Sequence, residues 1–363
     1  MKILDPACGT GNFLYVTLDL LKGLEQEAIA RLVDVAGEVQ LGLEQINPAQ
    51  FLGIEINPRA AAIAELVIWI GYLQWYFKRY GNAAPPEPVL QAFGNVECRD
   101  AVLAYDGTEP DLDAKTGEVR SRWGGKMMKH PVTGEDVPDA SDRVIIYKYL
   151  NPRAAAWPEA DYIVSNPPFI GNARMREFLG DGYVEILRQT YSDHIPETVD
   201  YVMFWWHKAA SLIGEFKLRK FGLITTNSIR QIQQRRVMEF HLNKKIPIRI
   251  PFAIPDHPWV DKGAAVRIAM TSAEQDLDRS SSRPAKLGLV FSEIEEKTLE
   301  ESAYSITVTW KNAAKIFSNL EIGIDLTVAS KLKSNSLLTG PGVKLHGAGF
   351  LVHDKVIFCL ITW

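Results

Sequence analysis

The chain has few cysteines and no large excess of charge of either sign. Its 363 residues include three cysteines, Cys8, Cys98 and Cys359, far apart in the sequence. An odd number of scattered cysteines argues against a disulfide framework and predicts a reducing, cytoplasmic environment. The sequence contains no Cys/His spacing typical of a metal site. With a net charge of −4, a nucleic-acid partner would have to meet a local basic surface.

Long apolar runs free of polar residues are also lacking. The most apolar stretch, residues 60–77, is interrupted by Glu65 and Gln74 and closed by Lys78 and Arg79. We interpret it as a buried helix of a globular protein and expect no membrane association. Because 47% of the residues are hydrophobic, the chain can bury a large core.

The N-terminal stretch ILDPACGTGNFLYV predicts a strand, a tight turn and the start of a helix. Gly9 and Gly11 let the backbone approach a ligand, and the N–H groups of a helix N-terminus favour negative charge. The dinucleotide motif requires a third glycine where Leu14 stands, and the phosphate-binding P-loop requires a Gly-Lys-Ser/Thr that does not follow. The turn therefore indicates a nucleotide-like ligand without identifying it.

Acidic residues end the next two predicted strands. Residues 51–56 are predicted to form a strand, followed by a turn at Asn57-Pro58 and a helix, so Glu55 can accept hydrogen bonds from ribose hydroxyls. The interval from the glycines is longer than the usual ~20 residues, because a further helical piece intervenes. Asp100 ends the strand in GNVECRDAV, where it can bind an adenine amino group or simply cap a turn.

A rigid tetrapeptide, Asn166-Pro167-Pro168-Phe169, directly follows the predicted strand 161–165. The prolines fix the backbone and remove donors, which leaves local carbonyls free to accept hydrogen bonds. Asn166 offers a side-chain oxygen, Pro167 a backbone oxygen and Phe169 a flat face, a set that fits an exocyclic amino group. The alternative is a Pro-Pro pair that only ends a strand, and the order of the upstream motifs argues against it.

In this order the motifs resemble those of class I S-adenosylmethionine-dependent DNA adenine-N6 methyltransferases, and the wider sequence resembles their MmeI-like branch in restriction-modification systems. The stretches that carry the likeness span most of the chain: FLGIEINPRAAAIAELVIWIGYLQW, ADYIVSNPPFIGNARMREFLGDGYVEILRQTY, DYVMFWWHKAASLI, FGLITTNSIRQ, AIPDHPWVDKGAAVRIAM and GVKLHGAGF.

The resemblance implies an α/β fold with a doubly wound, mainly parallel Rossmann-like methyltransferase sheet and a partial β-rich C-terminal recognition domain. It implies S-adenosyl-L-methionine as the cofactor and a flipped-out adenine as the substrate base. The cofactor would be held by Asp5, Ala7, Gly9, Gly11, Phe13, Glu55 and Asp100, and the adenine by Asn166, Pro167 and Phe169.

Composition and resemblance together predict three parts. Residues 1–271 would form the catalytic domain, with a surface insertion at 106–157 that carries a short hairpin. Residues 272–305 would be a linker and connecting segment, and 306–363 the truncated start of a target recognition domain. The family usually has a cofactor-contacting segment before the glycine turn, and MmeI-like proteins have a nuclease and helical region before that. We expect these parts in a missing N-terminal region or a partner subunit.

Double-stranded DNA is the expected partner. Lys331, Lys333 and Lys344 form a small basic group, which is a candidate start of sequence readout. A larger basic group lies between residues 217 and 249, where Glu239 is the single acidic residue. The larger group can neutralise phosphates or form an ordinary solvated helix face, and both interpretations stay open. The larger group comprises Lys217, Arg219, Lys220, Arg230, Arg235, Arg236, Lys244, Lys245 and Arg249.

The predicted activity is methyl transfer to N6 of the flipped adenine, governed mainly by positioning. Two alternatives stay open. One is an RNA or protein-glutamine methyltransferase, because those enzymes use similar tetrapeptides. The other is a truncated remnant that binds DNA or a partner without turnover. A metal nuclease is not expected, since Asp256, Glu295 and Lys297 match the nuclease pattern only loosely, and we predict no metal site.

Overall fold

The computed structural model describes residues 1–36, 46–83, 94–244, 248–261, 264–276, 283–297 and 302–323. The chain divides into a compact unit, Met1–Gly323, and a second unit, Ile324–Trp363. The second unit lies outside the described residues, and with it the predicted basic group at Lys331, Lys333 and Lys344.

The first part of the compact unit alternates strands and helices. In chain order these are β1 (Ile3–Asp5), α1 (Asn12–Ala36), β2 (Phe51–Glu55), α2 (Pro58–Tyr80) and β3 (Val96–Cys98). Helix α2 begins where the Asn57 side chain accepts hydrogen bonds from the N–H groups of Arg59 and Ala60. It ends at Gly81, whose φ of 62° is readily adopted only by glycine. The strand, turn and helix predicted here are confirmed.

The insertion after β3 is one long nested hairpin. Its outermost strands pair with each other, and so do the inner ones in turn, all antiparallel. Most of its side chains are exposed. The strands are β4 (Leu103–Ala104), β5 (Gly107–Pro110), β6 (Ser121–Trp123), β7 (Met127–Lys129), β8 (Asp136–Pro138), β9 (Arg143–Ile145), β10 (Tyr147–Leu150) and β11 (Arg153–Ala154).

The remaining elements complete the sheet and cover its second face. The helices are α3 (Met175–Leu179), α4 (Asp181–Thr190), α5 (Val202–Gly214) and α6 (Ile232–Leu242). The strands are β12 (Tyr162–Ser165), β13 (Lys220–Thr226), β14 (Ile248–Asp261), β15 (Ala264–Gln275), β16 (Ala285–Lys297) and β17 (Ser302–Ala313).

Among the described residues, nine strands form the large sheet, in the order β17-β16-β14-β15-β13-β12-β1-β2-β3. Strands β3, β2, β1, β12 and β13 are parallel, whereas β15 runs antiparallel to both β13 and β14. From β1 the chain first builds β2 and β3 on one side and later β12 and β13 on the other. The topological switch point therefore lies between β1 and β12, where a doubly wound sheet binds its ligand. The predicted doubly wound, mainly parallel sheet is confirmed.

Two hydrophobic cores lie on opposite faces of this sheet. In β1, Ile3 belongs to the core under α1 and α2, and its neighbour Leu4 belongs to the core under α4, α5 and α6. Successive side chains of a strand point to opposite faces, so two consecutive apolar residues in β1 are what a sheet covered on both sides requires. This double burial fixes β1 and the turn that follows it.

Helix α2 is long and apolar enough, by length and composition, to cross a membrane. It is also the crossover between β2 and β3, which pair in parallel. Its side chains Ala61, Ala64 and Ile68 are buried. Packing of a crossover helix against its sheet accounts for these apolar residues.

The strands beyond β13 continue the large sheet across the residue numbers of the predicted domain boundaries. Strand β15 runs through Thr271, the predicted end of the catalytic domain, and β16 and β17 continue the same sheet through the predicted linker. The connection is a parallel pairing of β14 with β16 at Phe252–Lys286 and Ala253–Leu287. Composition does not reveal such a long-range pairing. The functional division into catalytic and recognition domains stays a prediction.

Candidate active site

The carboxyl ends of β1 and β12 bring the glycine turn and the tetrapeptide together. Oδ1 of Asp5 accepts hydrogen bonds from the Ser165 hydroxyl at 2.5 Å and from the Ala7 N–H at 3.0 Å. Ser165 directly precedes Asn166, so one carboxylate oxygen joins both loops. Because β1 and β12 are hydrogen-bonded neighbours, the switch point holds the two predicted motifs side by side.

Asp5 is almost completely buried. Burial raises the pKa of its carboxyl group to about 7, against the opposing effect of the hydrogen bonds from Ser165 and Ala7. The nearby Glu55 carboxylate contributes to the increase. The side chain therefore carries its proton in the folded protein up to about neutral pH.

The glycine turn needs its glycines for two separate reasons. Gly9 and Gly11 have φ values of 54° and 86°, in the region that favours glycine. A Cβ at Gly11 would also lie 3.0 Å from the backbone Cα of Ala64, so this glycine allows α2 to pack against the turn. At Gly9 the corresponding position is open, which leaves room for a ligand.

Glu55 lies beside the same turn. Its Oε2 accepts a hydrogen bond from the Gly9 N–H at 3.0 Å, and its Oε1 accepts one from the Asn57 N–H at 2.8 Å. Each carboxylate oxygen can accept two hydrogen bonds, so the described residues leave one acceptor position on each. The next residue, Ile56, is 65% exposed and offers an apolar contact at this rim. Sequence reasoning missed Ile56, although its place directly after the acidic strand end was visible.

Asp100 makes the contacts of the turn-capping alternative. Oδ1 accepts hydrogen bonds from the N–H groups of Val102 at 2.7 Å and Leu103 at 3.0 Å. Oδ2 accepts the Tyr183 hydroxyl at 2.6 Å. With respect to the described residues, one acceptor position remains, on Oδ2. A contact with an adenine amino group stays a prediction that can use only this position.

In the tetrapeptide, Oδ1 of Asn166 is buried and has no hydrogen-bond partner among the described residues. Pro167 is buried, and Phe169 is half-buried with its ring packed against the main core. A buried oxygen without a donor costs about 1–3 kcal/mol, so this atom is suited to a donor that a ligand brings.

Comparison with known proteins identifies the family of the chain. Residues 1–280 match the family model described as MmeI, DNA-methyltransferase domain. The chain belongs to this family. It is 25% identical over 264 residues to DNA methyltransferase A of Bacillus subtilis (strain 168), covering 72% of this chain and 24% of that protein.

A solved structure shows the same fold. The type IIL restriction-modification enzyme MmeI, determined in complex with DNA, superposes with a TM-score of 0.55 at 20% identity. The match covers 90% of this chain and 36% of MmeI. The chain thus spans about a quarter to a third of the length of these relatives.

Residues after the tetrapeptide hold this part of the MmeI-family domain in place. The Tyr201 N–H donates to the Ile170 carbonyl at 2.9 Å, and the Asn172 N–H donates to Oδ1 of Asp200 at 3.0 Å. The Trp205 indole N–H donates to the Pro6 carbonyl at 2.9 Å. Sequence reasoning assigned these residues no role, although DYVMFWW was part of the family resemblance.

The basic residues between 217 and 249 do not form one surface. Lys217, Arg219 and Lys220 precede or begin β13, at the amino end of the parallel strands and opposite the site. Arg219 pairs with Asp161 at 3.2 Å and Lys220 with Glu274 at 3.3 Å. Arg249, which also contacts Glu274, lies at the same end. On the site's side of the sheet are Arg230, Arg235 and Arg236, whereas Lys245 lies outside the described residues.

Asp256 belongs to a different arrangement from a nuclease site. Its Oδ1 accepts hydrogen bonds from Arg267 at 2.5 Å and Asn227 at 3.2 Å. Within the described ranges, no group of His, Cys, Asp and Glu is suited to hold a metal ion.

Proposed function

We propose that the chain is the methyltransferase part of a restriction-modification protein and transfers a methyl group from S-adenosylmethionine to N6 of an adenine flipped out of double-stranded DNA. Membership of the MmeI DNA-methyltransferase family supports the general class. The DNA complex of MmeI supports DNA as the partner. Adenine N6 as the acceptor is our inference from the tetrapeptide.

One observation carries this inference: the buried Oδ1 of Asn166 at the switch point, to which none of the described residues donates a hydrogen bond. A cytosine C5 acceptor offers only a C–H group to this oxygen, whereas an exocyclic amino group offers two N–H donors. The Pro167 carbonyl is the second acceptor of the proposed site, and Phe169 supplies a face for the base. Ser165, bonded to Asp5, fixes the start of this loop relative to the glycine turn.

The described residues fit an adenosine-type cofactor. Gly9 leaves open space above the turn, and Glu55 keeps one acceptor position on each oxygen for the two ribose hydroxyls. The remaining acceptor position of Asp100 suits one amino hydrogen. Asp5, Ala7, Gly11 and Phe13 shape the turn and the start of α1 below it. When bound, S-adenosylmethionine supplies an electrophilic methyl group on a sulfonium sulfur.

The protein's contribution is to orient the acceptor nitrogen. The lone pair of an adenine amino group is delocalised into the ring, which makes the nitrogen planar and weakly nucleophilic. Hydrogen bonds from both N–H groups to Asn166 Oδ1 and the Pro167 carbonyl would favour a tetrahedral nitrogen whose lone pair points at the methyl group. Asn166 and Pro167 would hold the nitrogen while it takes the methyl group that the bound cofactor supplies; the carbon–sulfur bond would break to give a neutral thioether, and one N6 proton would pass to solvent.

The test is transfer of tritium from labelled S-adenosylmethionine by the full chain, offered unmethylated genomic DNA, RNA or protein separately. We expect label in DNA, with N6-methyladenine as the product by mass spectrometry. Asn166→Ala should lower turnover by roughly 100-fold or more, the scale for losing one transition-state hydrogen bond. Cofactor affinity measured by calorimetry should stay unchanged, because the glycine turn and Glu55 are intact.

Asn243→Ala, an exposed asparagine at the end of α6, is the matched control and should keep full activity. Methylcytosine as product, or an active Asn166→Ala variant, would refute the adenine-N6 assignment. Label in RNA or protein alone would favour the RNA or glutamine alternative. Binding of DNA with no label in any substrate would favour the remnant without turnover.

A further inference from the structure

A buried chain of hydroxyl groups begins at Asp100. Oδ2 of Asp100 lies 2.6 Å from the Tyr183 hydroxyl, which lies 2.8 Å from the Tyr201 hydroxyl. Tyr183 is 7% exposed and Tyr201 is 5% exposed. Because a carboxylate only accepts, Tyr183 donates to Asp100 and Tyr201 donates to Tyr183. Burial raises the pKa of both phenols well above the ordinary value, so both keep the protons that this direction requires.

Tyr201, at the other end of this chain of hydroxyl groups, reaches the segment after the tetrapeptide. Tyr201 donates its backbone N–H to the Ile170 carbonyl at 2.9 Å. Its ring meets the edge of Trp205 at a centroid distance of 4.8 Å, and Trp205 donates to the Pro6 carbonyl of the glycine turn. Tyr201 therefore contacts the segment after the tetrapeptide directly and the glycine turn through Trp205.

A ligand that binds at Asp100 would affect this chain of hydroxyl groups from its Asp100 end. Its free acceptor position is on Oδ2, the same atom that receives the Tyr183 hydroxyl. A donor arriving at Oδ2 must share that atom with Tyr183. A buried hydroxyl that loses its hydrogen-bond partner lowers the stability of the protein, because no solvent replaces the partner. If Oδ2 moves, the Tyr183 hydroxyl therefore moves with it, and the Tyr201 hydroxyl moves with that of Tyr183.

We propose that Tyr183 is a positioning residue that couples occupancy of the cofactor pocket at Asp100 to the backbone after the tetrapeptide, and thereby to binding of the target base. This inference rests on the proposed function. It assigns Tyr183 a role in transmitting one binding event to the other and none in contacting either ligand. Removing its hydroxyl should therefore change the coupling between the two ligands more than the affinity for each one alone.

The experiment measures that coupling in the full chain. The dissociation constant of unmethylated genomic DNA fragments is determined with and without S-adenosylhomocysteine, a cofactor product that cannot transfer a methyl group. By thermodynamic reciprocity, DNA must change the affinity for S-adenosylhomocysteine by the same factor. We expect a factor of about 5 or more in the wild type, within the usual range for coupled sites, and a factor near one in Tyr183→Phe.

Tyr191→Phe is the matched control. Tyr191 is 5% exposed and donates its hydroxyl to the Val102 carbonyl at 2.7 Å. Its hydroxyl thus makes a hydrogen bond to the turn at Asp100 that resembles the bond of Tyr183 in length and burial. Tyr191 does not belong to the chain of hydroxyl groups that includes Tyr201. We expect Tyr191→Phe to lower stability by a similar amount and to keep the wild-type coupling factor.

Two further measurements separate coupling from folding. Tyr201→Phe should lose the same coupling, and the double variant should lose no more, because both hydroxyls belong to one chain. Hydrogen exchange gives a readout without DNA or activity. S-adenosylhomocysteine should slow exchange at the Tyr201 and Asn172 amides in the wild type but not in Tyr183→Phe.

The outcomes distinguish this inference from the proposed function. A wild type that binds both ligands without coupling, a Tyr183→Phe variant with the wild-type factor, or additive losses in the double variant would overturn the inference alone. A wild type that binds no S-adenosylhomocysteine would overturn the proposed cofactor and the inference together. If Tyr183→Phe does not fold, Tyr201→Phe decides the question by the same coupling factor.

Discussion

Asp5 joins the glycine turn to the residue that precedes the tetrapeptide, and it does so from a buried position. Its folded-state pKa of about 7 lies above the ordinary value of 3.8. Between these values the folded protein keeps a proton that the unfolded chain has released. The free energy of unfolding therefore falls as pH rises through this window, by up to about 1.4 kcal/mol per pH unit.

We predict that Asp5→Asn removes this dependence. An asparagine oxygen can still accept from Ser165 and Ala7, but it never carries the buried negative charge. The variant should gain stability relative to the wild type as pH rises from 5 to 7, with no further gain above the folded pKa. Urea unfolding of both proteins at pH 5, 6, 7 and 8 measures the difference. Parallel curves for the two proteins would contradict the prediction.

At the scale of elements, helices α5 and α6 are joined by a buried histidine pair. Nε2 of His241 lies 3.0 Å from Nδ1 of His207. Burial lowers the pKa of both imidazoles; His194 and Lys244 lower both further, and Lys208 adds to the lowering at His207. Both rings are therefore neutral in the folded protein at pH values where the unfolded chain takes up protons.

We predict that this pair destabilises the packing of α5 on α6 in acid. As pH falls below the unfolded histidine pKa of about 6.5, each buried imidazole costs up to about 1.4 kcal/mol per pH unit. His241→Gln should reduce this loss between pH 6.5 and 5, measured by urea unfolding. His130→Gln in the insertion controls for loss of a histidine elsewhere. An equal acid loss in wild type and His241→Gln would rule out the pair as its source.

The two pH effects oppose each other in the wild type. Below about pH 6.5 the buried histidines lower stability while protonation of Asp5 raises it. A flat stability curve for the wild type would therefore be uninformative, since it can arise by cancellation. Comparison with the single variants separates the contributions.

At the scale of the whole molecule, the sheet divides the basic residues between its two ends. We predict that Arg230→Gln with Arg236→Gln weakens DNA binding, because both residues follow the carboxyl end of β13 on the side of the site. Each lost phosphate contact should reduce the slope of log affinity against log salt by about 0.9. Lys217→Gln with Arg219→Gln, an equal change of charge at the opposite end, is the matched control.

Salt titrations of DNA binding by fluorescence anisotropy measure both double variants. The control should keep the wild-type slope. A similar reduction in both would mean that the basic residues act through net charge, and a reduction only in the control would place DNA at the amino end of the strands, against the proposed site.

Much of this protein was determined by its sequence. The apolar run of β1, the Asn57 cap with Pro58 and the glycines of the first turn each specify local backbone geometry, so strands, helices and turns could be located from residue type alone. The carboxyl ends of parallel strands share one edge of the sheet. For that reason the order of the motifs was enough to predict that Asp5, Glu55 and Asn166 lie near one another.

Tertiary structure alone decided how these residues are connected. The hydrogen bonds from Gly9 to Glu55 and from Tyr183 to Asp100, and that between the Tyr183 and Tyr201 hydroxyls, join residues from different segments of the sequence. Likewise, the pairing of β14 with β16 extends the sheet past the predicted boundary, and the direction of β13 separates basic residues that are sequence neighbours. Sequence patterns encode local conformation and burial, whereas such pairings are fixed only when distant segments pack against a common sheet.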